Sequence, residues 1–282
     1  MAAQRVLVIG CGGELGSLAT SMLEEQSWVG PILGVDADPP RRRLNRTTFK
    51  RVALNQTANV AQIIMDFDPH LIVHLGVWEP NARLAPDEAD RTTSDVGRAV
   101  FDAAHQSQSL EAVVLRSGLE VYGTRSHAPL TPNEFTAPSP ASRYGRMLHF
   151  LERQAADLRA SRGVAVANLR LAPVLGAHVP SPLGRLLRLP AVPFLLAGDP
   201  EFTVIEDHDA ALAFTLAAQH RFDGSINVMA EGSTTARKAA LLGKRLPVPV
   251  VGPGWWAARQ LANIAGAPVP DHVVETLRHG RL

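Results

Sequence analysis

Three glycines spaced three residues apart, Gly10, Gly13 and Gly16, follow the apolar run Val6-Leu7-Val8-Ile9. A glycine in the first position allows a tight turn out of a strand. The second lets the backbone come close to a pyrophosphate, and the third lets a helix pack tightly on a sheet. Gly12, Glu14 and Leu15 complete the turn, and the helix beginning there offers unpaired N–H groups and a positive dipole end to phosphates. Twenty residues beyond Gly16, the segment Gly34-Val35 ends in Asp36. A carboxylate there accepts hydrogen bonds from ribose hydroxyls and repels a 2′-phosphate, which favours NAD over NADP. Arg41, Arg42 and Arg43 are the counterweight, since a loop folding back would bring them to such a phosphate. Asp36 has a second reading as a turn or cap residue, and Cys11 suits the turn by its small size rather than by redox chemistry.

These residues need a strand, a turn and a helix to position them, and the chain supplies the alternation. Short apolar or β-branched runs at Arg5–Ile9, Pro31–Val35, Arg51–Leu54, Leu71–Leu75, Ala112–Arg116 and Val164–Leu169 read as strands covered on both faces. Amphipathic stretches at 14–26, 58–66, 88–105 and 142–162 read as the helices between them. Six strands with crossovers predict an α/β fold, a Rossmann doubly wound parallel sheet. Residues 173–200 are rich in proline and glycine and read as loops over a cleft. A strand near Ser225–Met229 and helices near 209–219 and 234–242 follow. The stretch with Trp255 and Trp256 reads as a packed helix or an apolar contact surface, with packing favoured because paired tryptophans usually find a core. The predicted division is a dinucleotide-binding domain over 1–172 and a small substrate-binding region over 173–282, with elements partly interleaved.

The bulk numbers exclude several classes. With 28 basic and 27 acidic residues the formal net charge is +1, so neither a nucleic-acid partner nor a membrane surface is expected. The longest apolar stretches, such as Leu71–Trp78, fall far short of the roughly 20 residues that span a bilayer. A single cysteine excludes an intrachain disulfide and, with no secretory signal, fits a soluble, cytoplasmic protein.

Several ordered motifs resemble the extended short-chain dehydrogenase/reductase family, specifically its NAD-dependent epimerase/dehydratase group. Besides the glycine spacing, Leu71-Ile72-Val73-His74-Leu75-Gly76 looks like the fourth strand and the turn along the cofactor. Val113-Val114-Leu115-Arg116-Ser117-Gly118, running on to Val121-Tyr122-Gly123, looks like the fifth. Ser142-Arg143-Tyr144-Gly145 resembles the start of the catalytic helix, and Leu169-Arg170-Leu171-Ala172-Pro173-Val174-Leu175-Gly176 the sixth strand and the opening of the substrate region. The resemblance implies that Leu75, Gly76, Val77, Tyr144 and Pro173 join Gly10, Gly12, Gly13, Glu14, Leu15, Gly16 and Asp36 around the cofactor. It implies catalytic roles for Tyr144 and Ser117, a small-molecule substrate, and a homodimer built on helices near 88–105 and 142–162.

The pattern departs from the family at one critical place. The family's tyrosine has a lysine four residues on, one helical turn away, which binds the nicotinamide ribose and lowers the tyrosine pKa. A free phenol ionises near pH 10 and needs a cation to act near neutrality. Here Leu148 stands at that position, and Arg146 and His149 fall off the face shared with Tyr144. Ser117 lies one residue before the family's serine position, Ala53 replaces an aspartate near the adenine, and Pro173 replaces an asparagine common in nucleotide-sugar enzymes. His74 reads as strand-end packing, with no second ligand at a spacing that would make it a metal site. Two functional readings follow: an oxidoreductase or epimerase acting on a small carbonyl or alcohol, and a dinucleotide-binding sensor or regulatory module without chemistry.

Overall fold

The computed structural model describes residues 3–53, 56–80, 85–124, 131–252 and 254–282. The first strand β1 (Gln4–Ile9) enters the glycine turn and leads into α1 (Glu14–Glu24); β2 (Val29–Asp36) and β3 (Thr47–Arg51) follow. Helix α2 (Thr57–Phe67), β4 (Leu71–His74), α3 (Pro86–Gln106) and β5 (Ala112–Gly118) continue the alternation. A 3-10 turn over Leu119–Tyr122 precedes α4 (Arg143–Arg162) and β6 (Ala165–Leu171). Seven strands form one parallel sheet in the order β3-β2-β1-β4-β5-β6 plus a last strand, β10 (Gly224–Val228), beside β6. The order reverses between β1 and β4, so a crevice opens beyond the C-terminal ends of those two strands. The chain is α/β with a doubly wound parallel sheet, as its alternating pattern predicts.

Strands β1, β4 and β5 are apolar because both faces are covered: Val6, Leu7, Val8, Ile72 and Val73 are fully buried. Strand β3 departs from the expectation, occupying Thr47–Arg51 and not Arg51–Leu54. It is an edge strand paired only with β2, so threonine, lysine and arginine on its open side hide it from an apolar-run reading. Leu54 lies outside the described residues.

Residues 173–200 are also more ordered than their prolines suggest. Short β7 (Val174–Leu175), α5 (Pro182–Leu187) and β8 (Ala191–Leu195) lie there. Pro182 occupies the first helical position of α5, where its missing N–H is harmless, and Ser181 caps the helix by accepting from the Gly184 amide. Next come β9 (Ile205–Glu206), paired with β7, and α6 (Asp207–His220), which packs on α1. Then follow α7 (Ala236–Leu242), β11 (Leu246–Val250) paired with β8, α8 (Gly254–Ile264) and α9 (Asp271–His279). A second apolar core gathers Leu186, Phe194, Phe202, Trp255, Val273 and Leu277. Of the tryptophan pair only Trp255 is buried; Trp256 is 71% exposed, because adjacent residues on a helix point about 100° apart.

Helix α4 is tied down at several points. Ser142 caps its N-terminus by accepting from the Gly145 amide at 3.1 Å, and Arg143 pairs with Asp90 and Asp87 of α3. Farther along, Glu152 meets Arg170 of β6 in a two-pronged ion pair, Nε–Oε1 2.9 Å and Nη2–Oε2 2.8 Å, with both side chains 5% exposed. Arg170 also donates to the Tyr122 hydroxyl at 2.8 Å, and that hydroxyl donates to Asn227 of β10 at 2.7 Å. The network therefore locks α4, the 3-10 turn, β6 and β10 together.

Two stability measurements check this reading. Removing one partner of a buried pair strands the other charge, so Arg170→Met is expected to lower the unfolding free energy in urea by about 3–5 kcal/mol. The double change Arg170→Met/Glu152→Met should recover most of that loss; equal loss in both would contradict the paired role. His74, at the end of β4, is fully buried against Phe101 and has no partner for either ring nitrogen among the described residues. Burial holds its pKa down to about 4, against an ordinary value of 6.5. The unfolded chain then takes up the proton first, so stability is full above pH 6.5 and falls as pH drops toward 4. The loss between pH 7.5 and 5 is about 2 kcal/mol. His74→Leu should remove that part of the slope; an unchanged slope would show that other groups carry it.

Candidate functional site

The turn after β1 is closed by contacts that exclude side chains. Gly10 has φ +88°, and a Cβ there would sit 2.6 Å from the Gly76 amide nitrogen. A Cβ on Gly16 would lie 1.9 Å from the Gly10 carbonyl oxygen, and one on Gly12 would lie 2.2 Å from the Asp38 carbonyl. Gly13 differs: its nearest neighbour would be 3.8 Å away, so its open side faces the cleft and not packed protein. The Gly12 amide donates to Asp36 Oδ2 at 2.9 Å and the Asp38 amide to Oδ1 at 3.2 Å. Burial raises the Asp36 pKa above the ordinary carboxylate value, and these amide donors oppose it. Asp36 thus fixes the turn while still lining the cleft, and the two readings of it are compatible. Cys11 packs its sulfur on Gly34, and burial, aided by Asp36, pushes its thiol up to about 12, so it is a packing residue.

The cleft over this turn is about 200 Å³ and runs between the turn, Asp36 and Asp38 on one side and Leu75, Gly76, Val77 and Trp78 on the other. Val179, Pro180 and Ser181, just before α5, form its far lip. The shape and its donors fit a dinucleotide: a side-chain-free backbone surface, a helix N-terminus, and carboxylates at the strand end where a ribose would lie. Arg41 lines the cleft beside Asp38, whereas Arg42 is held by Glu14 at 3.1 Å.

A smaller pocket of about 40 Å³ adjoins the cleft and shares Glu79, Arg116, Val174, Val179 and Ser181 with it. Tyr144, in the first turn of α4, lines this pocket together with Ser117, Gly118, Glu120, Pro173 and His272. The Tyr144 ring lies on His272 of α9 with centroids 4.6 Å apart, and His272 Nε2 is 2.9 Å from Glu79 Oε1. Burial holds the phenol pKa well above its ordinary value; Arg116 pulls it down through charge and a hydrogen bond, while Glu79 and Glu120 push it further up. The Ser117 hydroxyl donates to Glu152 Oε1 at 2.6 Å, so toward the pocket it can act only as an acceptor.

The residues expected around the cofactor and in catalysis separate into two groups. Gly10, Gly12, Gly13, Glu14, Leu15, Gly16, Asp36, Leu75, Gly76 and Val77 line the larger cleft. Tyr144, Ser117 and Pro173 line the adjoining pocket instead. Leu148 is fully buried, its Cδ1 3.1 Å from where a Gly118 Cβ would stand, and Arg146 turns outward to the Ala141 carbonyl, as the helical geometry requires. Arg116, Glu79, His272 and Asp38 were not legible as site residues: they come from separate elements that only the fold brings together. Among the described residues, no group of His, Cys, Asp or Glu could hold a metal ion, and no helix is long and apolar enough to cross a membrane.

Comparison with known proteins agrees with this fold. An uncharacterised protein of Mycobacterium tuberculosis is 29% identical over 264 residues, covering 91% of this chain and 70% of the relative. The beta subunit of methionine adenosyltransferase 2 from Rattus norvegicus is 26% identical over 176 residues, covering 62% of this chain and 48% of that protein. Among solved structures, UDP-glucose 4-epimerase from Brucella ovis in complex with NAD superposes with a TM-score of 0.72 at 18% identity. It covers 98% of this chain and 97% of that one. Residues 6–228 match the model of the NAD dependent epimerase/dehydratase family, and the chain belongs to that family.

Proposed function

We propose that the chain binds NAD in the larger cleft and acts as an oxidoreductase or epimerase on a small carbonyl or alcohol held in the adjoining pocket. One observation carries the reading: cleft and pocket share Glu79, Arg116, Val174, Val179 and Ser181, so a dinucleotide in one extends to Tyr144 in the other. NAD, when bound, supplies a nicotinamide that takes or gives a hydride. The turn amides and the α1 N-terminus hold the phosphates, while Asp36 and Asp38 receive the ribose hydroxyls and disfavour a 2′-phosphate despite Arg41. Tyr144 holds a proton at its hydroxyl for the reacting oxygen. Ser117, fixed by Glu152, presents its remaining lone pairs to a substrate hydroxyl. The pocket's volume admits only a few water-sized atoms, which argues for a small substrate over a nucleotide sugar of the kind named for the Brucella enzyme.

Residues 173–282 supply the substrate side of the site through Pro173, Val179, Ser181 and His272, while α6 and β10 return to the main sheet. A homodimer through α3 and α4, which pack side by side, and a cytoplasmic location consistent with the buried thiol of Cys11 complete the proposal. A second reading, a dinucleotide-binding module without chemistry, is favoured by Leu148 and by the family relative that is a subunit of another enzyme.

The two readings separate in one assay. Nicotinamide absorbance followed across a library of small aldehydes, ketones and alcohols should show turnover. Tyr144→Phe should lower kcat about 10²–10⁴-fold and leave NAD affinity unchanged in calorimetry. NAD binding without turnover on any substrate would support the module instead, and turnover indifferent to Tyr144→Phe would take Tyr144 out of the chemistry.

A further inference from the structure

The pocket contains an ionisable phenol with no lysine to serve it. The chain has only three lysines, Lys50, Lys238 and Lys244. None lines the cleft or the pocket. A phenol buried in this way cannot lose its proton unless a positive charge stands beside the oxygen. The groups facing Tyr144 come from four elements: Arg116 of β5, Glu120 of the 3-10 turn, Glu79 after β4 and His272 of α9. Two of these are acids, and His272 is paired with one of them through Nε2. Arg116 is the one guanidinium among them.

Resting on the reading that Tyr144 moves a proton, we infer that Arg116 is the positioning residue that supplies the positive charge beside Tyr144, in place of a lysine one turn along the helix. Its placement suits the task. Arg116 is held by the sheet, paired in register with Leu169 of β6, and its Nη1 is anchored on the Val77 carbonyl at 3.3 Å. From that anchor the side chain borders both the cleft and the pocket, so a single guanidinium spans the dinucleotide side and the tyrosine side. When Tyr144 gives its proton to the substrate carbonyl oxygen, the hydride that goes to the carbonyl carbon would come from a reduced nicotinamide held in the cleft, leaving it oxidised, and the negative charge left on the phenol oxygen lies against Arg116. The proton returns from solvent. A guanidinium keeps its charge at every working pH, whereas an ammonium can lose it. Leu148 is then free to remain an apolar packing residue on Gly118.

The chain has only two tyrosines, Tyr122 and Tyr144, which makes a direct test available. The 282-residue chain is labelled with a fluorinated tyrosine more acidic than tyrosine, saturated with NAD, and followed by fluorine NMR against pH. Tyr144→Phe and Tyr122→Phe assign the two signals. Arg116→Met is expected to move the Tyr144 midpoint up by at least about one pH unit, to leave Tyr122 in place, and to lower any kcat without a matching rise in KM. Arg116→Lys should restore most of the shift, which a purely structural role would not produce. A Tyr144 signal that responds identically in the parent, Arg116→Met and Arg116→Lys proteins, all folded by circular dichroism and all binding NAD, would overturn the inference. Loss of NAD binding in the parent protein would instead overturn the function on which it rests, and the two failures are distinct.

Discussion

The structure depends on a steric constraint at the end of β1, where three backbone segments meet with no room for a side chain. Gly10 abuts the Leu75–Gly76 peptide, Gly16 covers the Gly10 carbonyl, and Gly12 lies under Asp36 and Asp38. These contacts bring the ends of β1, β2 and β4 to one point, where the order of strands reverses and a crevice must open. The amide of Gly12 on the Asp36 carboxylate then adds a polar clamp to the steric one. Glycine at Gly10, Gly12 and Gly16 is a condition of the fold, and Gly13 alone of the four has an open side, which faces the cleft.

The pocket around Tyr144 is built differently. Tyr144 is placed by a helix whose start is capped by Ser142, whose flank is paired through Arg143, and whose middle is fastened by Glu152 to Arg170. The same Glu152 turns the Ser117 hydroxyl, so the two residues expected to do chemistry are positioned by one buried network. From the other side, α9 lays His272 on the tyrosine ring, and Arg281 just beyond it donates to the Gly123 carbonyl at 3.2 Å. The C-terminal segment thereby walls the pocket. The cleft is accordingly spacious and the pocket beside it is narrow.

How much of this was legible in the sequence follows from the range of the forces involved. The glycine turn, Asp36 and the start of α4 could be read because sterics, capping and helical period act over a few residues. The outward direction of Arg146 followed from helical geometry alone. Strand β3 hides from an apolar-run reading because its open edge carries polar residues, and α5 hides because Pro182 sits at its first position, where the missing N–H does no harm. Trp255 and Trp256 could not both be buried on one helix face. Arg116, Glu79 and His272 were beyond reach for another reason: they lie far apart in the chain and converge only through the sheet order and the docking of α9. Arg116 stood in plain view beside Ser117, yet nothing in its spacing connects it with Tyr144, twenty-eight residues on.

The crevice at the strand reversal is proposed as an NAD site whose carboxylates select against a 2′-phosphate. Calorimetric titration of the purified chain with NAD and, separately, NADP tests it most directly. The account predicts saturable binding of one NAD per chain and binding of NADP at least about ten-fold weaker, about 1.4 kcal/mol. Absence of binding by either dinucleotide, or tighter binding of NADP, would contradict it.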